Sequence, residues 1–183
     1  MHGIVLKGFK DFVIDRYDRE AWRAIQADAG LEGKLYVPVT EYPDDEVRAL
    51  LKAGVSISNT PANELLEAFG EFLLPSLLET YGVHVDEKWS ALQLIANVEE
   101  YIHTSLRAKA VASYTPPQLQ SDWIDDAHVR IVYSSERTLC AFARGLIVGI
   151  GVHRGEPLAI DERACMHNGD PQCVLIVSRQ HTD

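Results

Sequence analysis

The amino-acid sequence predicts an α+β fold, in which helices come first and an antiparallel sheet with one packed helix follows. Two observations support this prediction. Up to about residue 112, apolar residues recur mostly at helical spacing, and glycines separate the helical segments. After Pro116 and Pro117 the pattern changes to short runs rich in β-branched residues and bounded by turn residues. Helices followed by strands in this order are typical of the α+β class.

Four helices are predicted in the first part of the chain. Pro43 and the two acids after it mark the start of the second helix, and Thr60 is expected to cap the third. The predicted helices are Asp11–Ala29, Asp44–Lys52, Pro61–Phe72 and Glu87–Ala110.

The second part is predicted to contain three strands and one helix. A turn at residues 167–170, His-Asn-Gly-Asp, separates the last two strands. The predicted strands are Val129–Tyr133, Leu158–Ile160 and Cys173–Val177, and the predicted helix is Arg137–Val152. With 183 residues, 46% of them hydrophobic, and no flexible linker or internal repeat, we expect one domain over residues 1–183.

Charge and leader patterns limit the possible partners. The chain has 17 basic and 27 acidic residues, a net charge of -10, which disfavours nucleic acid and anionic membrane and favours protein partners. We see no signal-peptide pattern at the N-terminus and no apolar run of transmembrane length. The protein is therefore expected in the cytoplasm, with cysteines as thiols or metal ligands.

The stretch Tyr133-Ser134-Ser135-Glu136-Arg137 is rich in donors for carboxylates. In an extended segment Tyr133, Ser135 and Arg137 would share one face, and the guanidinium can hold a carboxylate through two charge-assisted bonds. A ligand with two flexible carboxylates fits this motif best. The alternative is a strand end whose tyrosine packs in the core and whose arginine is solvated.

His103 precedes this motif by thirty residues on a predicted helix. The apolar residues on its helical face are Leu92, Ile95, Ala96, Leu106 and Ala110. The histidine is therefore expected to point inward. A lone inward histidine is usually a satisfied core residue, but neutral imidazole is also a common iron ligand. Together with a carboxylate-binding motif, it makes haem the leading candidate ligand.

These residues resemble the haem–nitric oxide/oxygen-binding (H-NOX) family, related to the haem domain of soluble guanylate cyclase. The resemblance covers the N-terminal Met-His-Gly-Ile-Val, His103, the proline pair, the Tyr-x-Ser-x-Arg motif, Gly145-Leu146-Ile147 and residues 165–169. It implies that a haem b is buried between the two halves of the fold. It further implies that His103 is the proximal iron ligand, that Tyr133, Ser135 and Arg137 bind the propionates, and that Pro116 or Pro117 presses on the porphyrin.

The resemblance also implies a gas preference. The family's oxygen-binding members carry a tyrosine nine residues after the first tyrosine of the motif, and this chain has Phe142 there. The two supporting positions fall on Phe9 and Phe72. Because none of the three can donate a hydrogen bond, we expect the haem to bind nitric oxide and carbon monoxide but no stable oxygen. Ordinary core aromatics are the alternative interpretation.

Three cysteines, Cys140, Cys165 and Cys173, lie in the last third of the chain. Their spacing is a weak metal signal, and buried free thiols are the alternative. Some bacterial members of the family bind zinc at cysteines in these places, with a histidine three residues before the second. This chain has Glu162 there, and His167 is a possible substitute. A zinc or thiol-redox site is predicted.

We therefore interpret the chain as a gas sensor without enzymatic activity that signals to a separate protein. The resemblance implies that nitric oxide weakens the iron–His103 bond and shifts the helical half. It also implies that the partner is a histidine kinase or a cyclic-di-GMP enzyme (a diguanylate cyclase or phosphodiesterase). The main alternative is a zinc-thiolate redox sensor. A haem peroxidase or a thiol hydrolase is a third, but no distal histidine or base-paired cysteine is visible. Glu99 and Glu100 are expected on a solvated face.

Overall fold

A computed structural model describes residues 1–104 and 117–180. Within these ranges the fold is α+β, as predicted, with six α-helices and one antiparallel sheet of four strands. The helices are α1 (Gly3–Arg16), α2 (Arg19–Asp28), α3 (Asp44–Ser58), α4 (Ala62–Tyr81), α5 (Ala91–Val98) and α6 (Cys140–Arg154). The strands are β1 (Gln118–Asp125), β2 (His128–Ser134), β3 (Leu158–Ala164) and β4 (Cys173–Arg179). None of the described helices has the length and apolar character needed to cross a membrane.

The predicted helix Asp11–Ala29 is two helices, and the first begins earlier. Asp18 separates them, because its carboxylate accepts a hydrogen bond from the Ala21 N–H at 2.7 Å and so caps the start of α2. The prediction missed this break because the apolar spacing continues across it.

The third predicted helix is longer than expected. Helix α4 continues past Phe72 to residue 81 with Pro75 inside it, and Pro61 is the residue before its first turn. Thr60 does not cap it, since its hydroxyl donates to the Ser58 carbonyl at 3.3 Å. Tertiary contacts outweigh the local preference of proline here, because α4 buries Leu65, Phe69 and Leu73 in the helical half.

The sheet has the strand order β1-β2-β4-β3. Strand β1 was not predicted, because its sequence Gln-Leu-Gln-Ser-Asp-Trp-Ile-Asp is mostly polar. Within the described part of the chain, it lies at the edge of the sheet and pairs with β2 alone. An edge strand with few buried positions lacks the apolar alternation on which strand prediction depends.

Helices α4 and α6 join the two halves at very close range. A side-chain carbon at Gly145 of α6 would lie 2.1 Å from the Glu67 carbonyl oxygen of α4. Gly70 of α4 has an equally tight neighbour, since a carbon there would lie 2.4 Å from the Phe142 carbonyl oxygen. Glycine at both positions lets the two backbones touch and sets α6 between α4 and the rest of the core.

The helix predicted over Glu87–Ala110 begins at residue 91. A capping box between Ser90 and Gln93 defines its start. After Val98 the backbone widens into a π-helical turn over Glu99–His103. Leu106, Ala110 and the end of the predicted helix lie outside the described residues.

Candidate functional site: an apolar cavity with two polar regions

A cavity between the helices and the sheet encloses about 910 Å³ including its mouth. The lining is mostly apolar, and the residues that contribute to it include Val5, Ile95, Val98, Leu119, Ile131, Phe142, Leu146, Ile147 and Leu175. His103, Tyr133, Ser135 and Arg137 line the same cavity. The two candidate motifs that the sequence separates by thirty residues therefore meet at one site.

His103 lies at the end of the π-helical turn, and its side chain is 15% exposed. Burial lowers the pKa of His103 to about 4, so the imidazole is neutral at pH 7. Neutral imidazole is the form that binds a metal. The Nδ1 atom lies 3.0 Å from a carboxylate oxygen of Glu99, which leaves Nε2 as the candidate ligand atom. No chemical role for Glu99 was predicted from the sequence.

The Tyr-x-Ser-x-Arg motif reaches the cavity in a different way from the one predicted. Strand β2 ends at Ser134, and the motif continues as a turn rather than as an extended segment. The Arg137 N–H donates to the Ser135 hydroxyl at 3.2 Å, and Thr138 adopts a left-handed conformation with φ of 50°. The turn, and not strand alternation, directs Arg137 to the cavity.

Tyr133 is buried, and the Ser135 hydroxyl lies next to its phenol. Burial raises the pKa of Tyr133 to about 12, so the phenol stays protonated and can donate a hydrogen bond to a carboxylate. The motif therefore supplies two hydroxyl donors and a guanidinium at the cavity wall.

Arg137 is bound to a residue of the helical half. Its Nε atom donates to Asp44 Oδ1 at 2.8 Å, and the N-terminal amine of Met1 donates to the same oxygen at 2.9 Å. Burial alone would raise the pKa of Asp44, but the bonds from Arg137 and the amine outweigh it and lower that pKa. Asp44 is thus an ionised acceptor that orients Arg137. Sequence reasoning missed it, because 93 positions separate the two residues.

The aromatic residues predicted on the distal face are only partly brought together. Phe142 lines the cavity. Phe9 does not, but it lines a small adjacent cavity that Phe142 also lines. Phe72 is 37% exposed, and its ring contacts that of the buried Phe12 rather than that of Phe142.

Phe69 takes the position on α4 that was expected for Phe72. Its ring centroid lies 5.0 Å from that of Phe142 and 5.2 Å from that of Phe9. It is 3% exposed and belongs to the same buried face as Leu65 and Leu73. The spacing of four residues to these leucines is the signal in the sequence that could have identified it.

Of the two prolines, Pro117 lines the cavity. Pro116 lies outside the described residues, so the choice between the two stays open.

The three cysteines form one buried cluster. Cys140 begins α6, Cys165 follows β3 and Cys173 begins β4. The Sγ atom of Cys173 lies 3.0 Å from that of Cys140 and 3.9 Å from that of Cys165, and all three lie within 4.8 Å of one another. Sulfurs bound to one zinc ion at about 2.3 Å lie about 3.8 Å apart, so the cluster has suitable dimensions.

Neither proposed fourth ligand belongs to this cluster. Glu162 forms an ion pair with Arg144, and the imidazole of His167 is bonded to the Thr138 carbonyl at 2.9 Å. Burial raises the pKa of the Cys140 and Cys165 thiols, so in the absence of a metal both are protonated and weakly nucleophilic. This disfavours a free-thiol redox sensor.

The family model described as Haem-NO-binding matches residues 2–162. The chain belongs to the Haem-NO-binding (H-NOX) family. H-NOX domains are haem-based gas sensors, which agrees with the cavity and with the resemblance inferred from the motifs. This membership favours a haem sensor over the zinc-thiolate alternative.

Solved H-NOX proteins share the fold over nearly the whole chain. The crystal structure of an H-NOX protein from S. oneidensis in the Fe(II)NO ligation state is 24% identical, with a TM-score of 0.90 and coverage of 99% of this chain and 100% of that one. The structure of an unliganded Fe(II) H-NOX protein from K. algicida is 18% identical, with a TM-score of 0.84 and coverage of 100% and 98%. A search of curated proteins gave no match.

The residues present fit a haem. The cavity offers an apolar lining, one neutral imidazole and a set of hydrogen-bond donors for carboxylates. A porphyrin with an iron centre and two propionates requires these three chemical features. His103 would hold the iron, and Tyr133, Ser135 and Arg137 would hold the propionates.

Proposed function

We propose that the protein binds haem b through His103 and senses nitric oxide. The observation that supports this most directly is that His103 and the Tyr-x-Ser-x-Arg motif line one apolar cavity. The bound haem supplies a gas-binding iron. The chain supplies the axial imidazole, the hydrogen-bond donors to the propionates and a dry environment. We propose a sensing role rather than catalysis.

The preference for nitric oxide is supported by the apolar character of the lining. Dioxygen bound to ferrous haem becomes partly anionic and gains from a hydrogen-bond donor, whereas nitric oxide binds tightly without one. Phe142 contributes no donor, and Phe69 and Phe9 packed behind it contribute none either. A missing hydrogen bond worth about 1–3 kcal/mol lowers oxygen affinity by roughly one to two orders of magnitude.

The output is proposed to be a change in binding to a separate signalling protein, either a histidine kinase or a cyclic-di-GMP enzyme. The close contact between α4 and α6 offers a route, because α6 contributes Phe142 and Leu146 to the cavity and touches the helical half through Gly145. Coupling of about 1–3 kcal/mol between gas and partner would give a usable response.

An absorption spectrum of the purified protein tests the proposed function. The ferrous protein should show a Soret band that shifts with nitric oxide and with carbon monoxide, and that stays unchanged under air until the iron oxidises. A protein that takes up no haem would refute haem sensing. A stable complex with oxygen would leave haem binding intact and refute selectivity for nitric oxide.

We further propose that Cys140, Cys165 and Cys173 hold a structural zinc ion. The proximity of the three sulfurs favours this. Glu162 would have to leave Arg144 to become the fourth ligand, so His167 or a water molecule is an equal candidate. Purified protein should contain about one zinc per chain, and Cys165→Ser should release it. Three freely reacting thiols in protein without zinc would refute the site and leave haem sensing unaffected.

A further inference from the structure

The carboxylate of Glu99 is the closest polar partner of the proposed iron ligand. One of its oxygens lies 3.0 Å from Nδ1 of His103, and the side chains of the two residues are 27% and 15% exposed. Paired glutamates on a helix are usually solvated, and for Glu99 this expectation is wrong. Glu100, the next residue, is exposed.

Two hydrogen bonds within the π-helical turn hold the backbone of Glu99 in this position. The Glu99 carbonyl accepts the backbone N–H of Thr104, and it also accepts the Thr104 hydroxyl at 3.0 Å. The turn inserts one extra residue per hydrogen-bonded ring compared with an α-helix, and such turns are frequent at functional sites. The backbone of Glu99 is therefore anchored just where its side chain contacts the imidazole.

The contact defines which nitrogen of His103 is free. With the Glu99 oxygen as the acceptor, Nδ1 carries the proton and donates it, and Nε2 keeps its lone pair. In metalloproteins a carboxylate bonded to the outer nitrogen of a ligating histidine orients the ring and makes the ligating nitrogen more basic. A more basic nitrogen binds iron more strongly.

We propose that Glu99 is a positioning residue that orients His103 and strengthens the bond between His103 and the haem iron. This inference rests on the proposed role of His103 as the iron ligand. The resemblance to the family implies that nitric oxide weakens this bond, so the contact with Glu99 determines how easily the bond breaks when gas binds. It thereby tunes the sensitivity of the sensor without touching the gas.

The test compares Glu99→Gln with Glu100→Gln in haem-loaded, unliganded ferrous protein. Glutamine keeps the size of glutamate but removes the charge, so the ring stays packed while its acceptor becomes weaker. Resonance Raman spectroscopy measures the iron–histidine stretching band directly. We expect this band at lower frequency in Glu99→Gln and unchanged in Glu100→Gln. Haem loss should be about 10-fold faster in Glu99→Gln, the lower end of the usual effect of such outer partners.

Two further variants separate this proposal from its alternatives. Thr104→Val removes the hydroxyl bond to the Glu99 carbonyl but leaves the carboxylate and the backbone N–H bond that still holds Glu99, so it should leave the band unchanged. Equal bands in Glu99→Gln and the unchanged protein, or an equal drop in Thr104→Val, would overturn the role of the carboxylate. His103→Ala should abolish the band, and a band that persists there would overturn the proposed iron ligand itself.

Discussion

The two polar regions of the cavity are held in place in opposite ways. His103 is oriented by Glu99, which is four residues away on the same helical segment. Arg137 is oriented by Asp44, which is 93 positions away in the other half of the fold. The axial region can therefore form with one helical segment, whereas the motif that receives the propionates is complete only when both halves have packed together.

This difference indicates how a signal could spread. Asp44 is the first residue of α3, and it is bound both to Arg137 and to the amino group of Met1. A change in the position of Arg137 therefore alters the hydrogen bonds at the start of α3 and at the N-terminus. A change in the position of His103 first affects the helical turn in which His103 lies.

The largest effect is expected for His103→Gly. Removal of the imidazole leaves the iron without its protein ligand while the propionate donors remain, so purified protein should contain little haem. Added imidazole should restore binding. Haem content per chain, measured from the absorption spectrum, checks this, and His128→Gly on the exposed β1–β2 hairpin is the matched control. Normal haem content in His103→Gly would show that another residue binds the iron.

Replacement of Arg137 by alanine should have the next largest effect. A bidentate charge-assisted pair with a propionate is worth about 1.5–3 kcal/mol, so haem should be lost roughly 10- to 150-fold faster. Transfer of haem to an acceptor protein measures this rate. Arg130→Ala removes an exposed arginine that pairs with Asp122 away from the cavity, and it should leave the rate unchanged. Equal rates in both variants would exclude Arg137 from propionate binding.

A smaller, pH-dependent effect is expected for Asp44→Asn. The folded state lowers the pKa of Asp44, so its carboxylate adds stability above its unfolded pKa of about 3.9 and loses that contribution as pH falls further. The difference in unfolding free energy between the unchanged protein and the variant should be constant above about pH 5 and shrink below about pH 4. Denaturant unfolding of haem-free protein at several pH values measures it. A difference independent of pH would contradict an ionised Asp44.

The smallest effect is expected for Phe142→Tyr, which adds a phenol to the cavity wall. The gain in oxygen affinity should be about 0.5–1 kcal/mol, roughly two- to fivefold, because the neighbouring Phe69 and Phe9 offer no polar partner to direct the hydroxyl. Carbon monoxide competition under oxygen measures it, with Phe142→Leu as the control. An unchanged affinity would show that the phenol points away from the iron.

Much of the fold could be predicted from the sequence, because its signals are local. Apolar spacing and the change at the proline pair determined the order of helices and strands. The same spacing predicted that His103 points inward. The Tyr-x-Ser-x-Arg motif could be recognised because it places three hydrogen-bond donors two residues apart. Helical spacing and the alternation of residue types can both be recognised within a short segment of sequence.

The tertiary structure decided the features that depend on several elements at once. The helical spacing identified an aromatic face on α4, but only packing against α1 and α6 shows that Phe69, rather than Phe72, contacts Phe142. Strand β1 exists because β2 gives it a partner, although its own sequence is polar. Neither result can be derived from one segment, since each depends on the surface that another segment offers.

The sequence by itself determined which chemical groups are present at the site, and the folded structure decided which of them act together. His103 and Arg137 could be identified as candidates from residue type and spacing alone. Their partners Glu99 and Asp44 could not, because a carboxylate becomes a hydrogen-bond partner only when burial and backbone geometry bring it within about 3 Å. Helical spacing alone does not tell whether a glutamate four residues before His103 faces solvent or contacts the imidazole. The π-helical turn places it against the imidazole.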